Sequence, residues 1–571
     1  MMKKRKGSTL LLTLMVFSIL MIFGTFILNF MVTENKQSFS YQYKTQAYYI
    51  ARGGAVAVEA AILKMDEEQI EQLEDELKEK REITLNDIDI EGNKAIVTLR
   101  KEDEKLYIES LGRVGDVVDK VVKVMEKEST STETVEIDMA VFSHGDIVIS
   151  NGKIEGDIGT NGDITISNNP TITGKAYLAE NSKFTGPDWW LRDKWSDDRA
   201  VRISTERNYS IPVFSNYIEE AEENSIPEFP KFENYPSSLP LSPVLNFDNV
   251  DEITVDSNGR YEKINIPWGK TLVIDASERA INIWTEELSV YQILVKGSHE
   301  VNIHIKSKFT TNSGSQRCIF RENHNSNINI YFSGGEISLN SPKGIYANIY
   351  IKTNISNIKF NNSQVFGDVY IYNSNFETSG NQDIGIKGNI FSKSGNIKIP
   401  NGYVDGNIYS YNGNVELSGS ASMYGNIYSF SGNVVINGSG MMKGSIYVNN
   451  GNTVISGSGR VVEGNLYVNS GNIEFKGSGI IYGNIISSGI DNDIKMGSNG
   501  TPLTVRGIIY APQSNIVFTN NSPVAGGIVG KTISITGNVD IKYNSDNIDT
   551  SLIKVGSSTS THWEYKPGYF Q

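Results

Sequence analysis

The chain has 571 residues, a formal net charge of -14, 53 glycines against 15 prolines, and one cysteine, Cys318. That length exceeds one compact domain, and outside the first six residues no Lys and Arg cluster offers nucleic acid a footprint. One cysteine and five histidines exclude an internal disulfide framework and argue against a metal centre, so no cofactor is expected, while 28 tyrosines and abundant glycine and asparagine suggest short strands joined by turns.

The N-terminus reads as a membrane anchor. No charged residue occurs from Gly7 to Thr33, and Leu10 to Val32 is dominated by Leu, Ile, Phe, Met and Val; roughly 20 such residues span a bilayer as a helix. Lys3, Lys4, Arg5 and Lys6 hold the N-terminus in the cytoplasm, and Glu34, Lys36 and Lys44 begin the far side, so the bulk of the chain faces outward. The apolar run is too long for a secretory signal and lacks a small-x-small cleavage site. Helical character continues through Ala47, Ala51, Ala55, Val58 and Leu63, and the first proline is Pro170.

The basic leader, Gly7-Ser8-Thr9-Leu10-Leu11, the apolar helix and Gln46-Ala47-Tyr48-Tyr49-Ile50-Ala51-Arg52-Gly53-Gly54 together resemble the N-terminal segment of PilX-type minor pilins. The resemblance implies cleavage by a prepilin peptidase after Gly7, leaving Ser8 as the mature N-terminus. Two positions depart from the family pattern. Leu12 stands where major pilins carry Glu, a departure shared by pseudopilins thought to sit at filament tips, and Arg52 replaces the usual acidic residue. On the residues alone, an uncleaved single-span anchor is the alternative.

Asp66 to Glu82 is densely charged, with Ile70, Leu73 and Leu77 at helical spacing, and reads as a solvated amphipathic helix. Strands follow at Ala95–Leu99, Leu106–Ser110 and Val117–Val124, which makes a small α+β neck.

The outer region repeats. Gly-x-(Ile or Leu)-aromatic recurs at Gly388, Gly406, Gly425, Gly444 and Gly464, then Gly483-Asn484-Ile485-Ile486, in steps of 18, 19, 19, 20 and 19 residues. Such a period means a solenoid. Further glycines at Gly413, Gly432 and Gly451, then Gly419, Gly438 and Gly457, mark three corners and hence three strands per coil. Alternation turns Ile390, Ile408, Ile427, Ile446, Leu466 and Ile485 inward, as it does Val415 with Leu417, Val434 with Ile436, and Ile473 with Phe475. Asn389, Asn407, Asn426, Asn465 and Asn484 are placed to form ladders between coils about 4.8 Å apart. Variable coil length and the lack of strict hexapeptides favour a right-handed parallel β-helix. The register extends upstream to Ala347-Asn348-Ile349-Tyr350 and downstream to Gly527-Ile528-Val529, and Gly145-Asp146-Ile147 to Gly174-Lys175-Ala176 reads as the first coils. Trp189, Trp190 and Trp195 and the prolines from Pro212 to Pro243 mark an insertion. The segment Gly507 to Gly530 resembles the C-terminal β-helical region of PilX-type proteins of Gram-positive bacteria, and the design is similar to bactofilins, which lack the anchor.

β-Helices also serve polysaccharide lyases and hydrolases, so chemistry has to be sought in the residues. The regular coils carry only isolated Glu416, Glu463 and Glu474, while Arg317, Arg321, Glu322 and His324 form a cluster that reads equally well as a solvated loop. No catalytic residue, cofactor site or metal ligand is assigned. The candidate binding surface is the outward aromatic column Tyr350, Tyr370, Phe391, Tyr409, Tyr428, Tyr447 and Tyr467, able to stack on sugars or partner proteins, or else to serve as a stabilising ladder.

The expected division is a leader (1–7), a transmembrane and pilin-like helix (8–65), an α+β neck (66–135), first coils (136–180), a Trp/Pro-rich insertion (181–247), the β-helix proper (248–545) and a tail (546–571). With the resemblance, this implies a non-enzymatic component of a type IV pilus or pilin-like surface assembly, a minor pilin for which Leu12 allows a tip position. Its expected partners are the membrane, a prepilin peptidase, other pilin subunits and cell-wall or host glycans, with no nucleic acid. The competing reading is a membrane-anchored polysaccharide-binding or polysaccharide-degrading β-helix protein.

Overall fold

The computed structural model describes residues 15, 43–63, 65, 67–90, 93–102, 105–131, 135–218, 226–229, 239–311, 314, 316–322, 327–353, 355–381, 383–498, 503–555, 561–565 and 569–570. Among them no helix is long and apolar enough to cross a membrane. Of the run Leu10 to Val32 only Met15 is described, and Gly7 and Ser8 lie outside the described residues. The described residues fall into two compact units, 1–133 with 557–571, and 134–556.

In the first unit a helix over residues 43–62 lies on an antiparallel sheet of Glu82–Ile90, Asn93–Glu102, Lys105–Val114 and Val117–Ser131. Its small-residue face, Ala47, Ala51 and Ala55, is fully buried because the sheet comes very close: a methyl group on Gly112 would sit 2.1 Å from the Ala47 carbonyl oxygen. Glu59 and Lys123 form a buried ion pair between helix and sheet. The helix Glu67–Lys80 is the expected charged one, with Leu77 buried.

Two expectations for this unit fail. The strand Glu82–Ile90 went unread because a bulge between Leu85 and Ile88 breaks its alternation. Residues 546–571 are not a tail: Thr561–Tyr565 and Tyr569–Phe570 pair with Val117–Ser131.

The second unit is a parallel β-solenoid with three strands per coil, as the glycine spacing implies. In one coil Ile408–Ser410 pairs with the coils on either side, as do Val415–Leu417 and Ser422–Tyr424. The predicted inward residues Ile390, Ile408, Ile427, Ile446, Leu466 and Ile485 are 0–2% exposed and stack in one continuous core. The first corner shows why glycine recurs: at Gly425 (φ +144°) a Cβ would lie 2.3 Å from the Gly406 carbonyl oxygen of the preceding coil.

The asparagine ladders form: upstream Asn282, Asn302, Asn329 and Asn348 bond amide to amide from coil to coil, and in the regular coils the bond runs from side chain to backbone. The side-chain oxygen of Asn407 accepts from the backbone N–H of Asn426 in the next coil at 2.8 Å, and Asn389 serves Asn407 likewise. A second ladder runs through Asn396, Asn414, Asn433 and Asn452, each accepting from the backbone one coil on. These bonds satisfy corner N–H groups that would otherwise be left over.

Coil order in space differs from coil order in the chain. Residues 141–155 pair with the last coil, 528–542, on one side and with 158–172 on the other. Ala176–Ala179 and Ala200–Ile203 continue the stack. Residues 181–247 are therefore only partly an insertion. Phe184, Trp190 and Trp195 stack on one another at 4.7–6.3 Å, and the Trp190 indole N–H donates to the Pro170 carbonyl. These rings join the core cluster beside the terminal coils. Leu241–Val244 is already a solenoid strand, on Gly259–Asn265, which moves the expected boundary at 248 upstream.

Candidate functional site

The aromatic column takes its form from the pleat and the coil repeat. Each ring follows an inward Ile, Val or Leu by one residue and so points out of the coil. Because rings recur at one register position per coil, their separation must match the strand spacing, and from Tyr350 through Tyr370, Phe391, Tyr409, Tyr428 and Tyr447 to Tyr467 the centroids are 4.5–5.0 Å apart with planes within 8°. Upstream the stack continues through Tyr331, His304 and Trp284 at 4.6–5.4 Å. Sequence reasoning missed these three, although Ile283-Trp284-Thr285 and Ile303-His304-Ile305 carry the same alternation.

The column lies outside the coils, yet it is not an open surface. Phe391, Tyr409, Tyr428 and Tyr467 are 4–6% exposed, and Tyr350, Tyr370 and Tyr447 are half-buried. The chain returning from the capped end covers them. Tyr209 packs edge-on to Phe142 and Tyr510, Tyr217 stacks on Tyr467 at 4.3 Å, and further along the column the Tyr372 hydroxyl donates to the Pro227 carbonyl at 2.6 Å while Phe229 meets Tyr372 and Tyr331. Ile553 and Val555, from the supposed tail, complete the cover, held by Val213 N–H donating to the Lys554 carbonyl at 2.8 Å. Phe214, Ile218 and Ile226 of the return segment join the rings in a second hydrophobic cluster outside the coils.

This cover corrects the expectation of a strip available to sugars. Each interior ring spends both faces on its neighbours, and the edges of Phe391, Tyr409 and Tyr428 are buried as well. Burial pushes the phenols of Tyr331 (up to about 12), Tyr370 and Tyr467 above their ordinary range. It pulls the His304 imidazole down to about 4. Asn407 and Asn426 also donate to the Tyr409 and Tyr428 hydroxyls at 3.1 Å, so column and asparagine ladder are one stabilising network.

Among the described residues the loop cluster does not assemble into a site. Arg321 is buried and its guanidinium donates to the carbonyls of Gly297 and His299. Arg317 points outward over the Tyr346 ring, Glu322 is exposed, and His324 lies outside the described residues. Among the described residues no three His, Cys, Asp or Glu side chains could hold a metal ion together.

Residues 429–549 match a family described as a domain of unknown function, DUF7305. No curated protein matches the chain. Among solved structures the chain is similar to the competence-associated pilin ComZ from Thermus thermophilus at 9% identity, covering 93% of this chain and 97% of that one, with a TM-score of 0.15. A score that low bears on neither fold nor function.

Proposed function

We propose that the protein is a non-enzymatic structural component of a type IV pilus or pilin-like assembly, a minor pilin that displays a right-handed β-solenoid outside the cell. The observation that carries this reading is the N-terminal pattern: a basic leader ending at Gly7, an apolar run, and Ala47, Ala51 and Ala55 on one helix face. The packing of that face against an antiparallel sheet supports it, since a pilin helix leaving the membrane needs a headpiece to dock on. The consumption of the aromatic column in coil-to-coil stacking favours a scaffold over an aromatic binding strip. Mass spectrometry of the native N-terminus tests the proposal. Co-expression with a prepilin peptidase shortens the chain by seven residues, to Ser8, and Gly7→Val blocks this; an intact Met1 under those conditions removes the pilin reading and leaves a simple anchor.

A further inference from the structure

With the aromatic column covered, an open feature of the solenoid lies on a different face, outside the strands represented by Ser422–Tyr424. Two adjoining grooves of about 670 and 630 Å³ share Asp383 and together run from Gln292 to Met441. That span crosses seven coil steps, about 34 Å at a strand spacing of about 4.8 Å. Its floor is ordered. Tyr346 and Phe366 stack at 4.1 Å and 4°, with Arg317 and Lys387 each 5.5 Å from the outer faces of the pair. Gln364 and Tyr403 line it and are tied together, the Gln364 amide donating to the Tyr403 hydroxyl at 2.6 Å.

We propose that this groove binds a linear, hydroxyl-rich polysaccharide along the solenoid axis. Its length and openness suit a polymer, whereas a small ligand needs enclosure. An extended peptide would seek free backbone partners, and the strands beneath are paired with coils on both sides. A polyanion such as nucleic acid would need a single sign of charge, and here Asp383 and Asp405 are interleaved with Arg317, Lys343 and Lys387. What remains is a row of amides, hydroxyls and charges of both signs, the donors and acceptors that match repeated sugar hydroxyls, with Tyr424 near its end, 43% exposed and open to a sugar face. The inference is independent of the pilin reading, because leader cleavage does not touch it.

The test titrates the detergent-solubilised full chain with cellohexaose, chitohexaose and the matching disaccharides, with hexaglycine as the peptide comparison. At least one hexasaccharide binds, at least tenfold more tightly than its disaccharide and than hexaglycine. Gln364→Ala with Tyr424→Ala weakens it at least tenfold, Asp383→Asn at an exposed position weakens it several-fold, and Tyr482→Ala, exposed on the same face beyond the groove, leaves it unchanged. If neither hexasaccharide binds, if hexaglycine binds as well, or if both groove variants of unchanged circular dichroism bind like the wild type, the proposal is overturned.

Discussion

The corner glycines allow a graded test of what holds the coils together. Three glycine-to-alanine changes within the solenoid separate backbone conformation from contact. At Gly335 the added methyl meets nothing within 4 Å and φ is ordinary; at Gly269 space is open but φ is +80°; at Gly425 φ is +144° and the methyl would meet the Gly406 carbonyl oxygen at 2.3 Å and its carbon at 2.7 Å. The first change is expected to alter stability by no more than about 0.5 kcal/mol. The second costs about 1–2 kcal/mol, the penalty of a side chain in the left-handed region. The third carries that penalty and must also spread two coils by roughly 1 Å, breaking close packing for a further 1–3 kcal/mol, about 2–5 kcal/mol in all. Because solenoid stability is a sum over coils and their interfaces, the readout is hydrogen exchange coil by coil. Gly425→Ala should speed exchange in Ile408–Ser410 and Ile427–Ser429, while Gly269→Ala leaves them protected. Equal effects of Gly269→Ala and Gly425→Ala would mean that φ alone explains the repeat, and that the coil-to-coil contact argument is wrong.

Ile427→Asp buries an unpaired carboxylate in the core stack and should cost several kcal/mol; Tyr428→Ser, outside the coil but 6% exposed, should cost about 3 kcal/mol, against less than about 0.5 for Tyr482→Ser at 40% exposure, all read by urea unfolding. His304, held neutral by burial with its pKa near 4 against 6.5 when unfolded, contributes stability that is complete above about pH 6.5 and falls progressively as pH drops toward 4; His304→Phe should flatten that part of the melting-temperature profile, and an unchanged profile would refute the assignment. Lys123→Met removes one buried partner of the Glu59 carboxylate in the helix–sheet interface and should cost up to about 3–5 kcal/mol in thermal unfolding, part of it recovered when Glu59→Met is added.

How much of this was legible in the sequence follows from where each signal resides. The coil core was legible because inward Ile and corner Gly recur at fixed offsets, and both are set by contacts one coil away, at 18–20 residues. The column's outward direction was legible from the same alternation. Its burial was not, since it depends on Tyr209, Tyr217 and Phe229 meeting rings far away in the chain, and no periodicity encodes that. The three tryptophans marked a special segment but not its role, because a cap is defined by the core it closes. The groove was invisible for a similar reason: Gln364, Asp383 and Tyr424 come from separate coils, and each alone is an ordinary surface residue.

The permuted order of coils and the covered column have one topological cause. Ser131 and Thr561 are partners on adjacent strands of the first unit's sheet, so the solenoid is an insertion in a strand-to-strand connection, and its chain must leave and return at neighbouring points. A plain solenoid cannot do this, because entry and exit drift apart by about 4.8 Å per coil. Here Val135 and Ile137 at the entry and Ile553 and Val555 at the exit share one hydrophobic cluster. The chain first lays down 141–203, then returns along the outside to start again at 241, and finally coils back until 528–542 meets 141–155. The Ser143 hydroxyl thus donates to the Lys531 carbonyl across 388 residues. Closing a loop that long costs only about 3 kcal/mol more than closing one of coil length, incurred once, whereas the seam removes a free sheet edge from each of the two coils it joins. The return segment must cross the solenoid's flank somewhere. A flank of stacked rings gives it apolar surface to bury, which is why the tyrosines lie under it, and the groove face stays open.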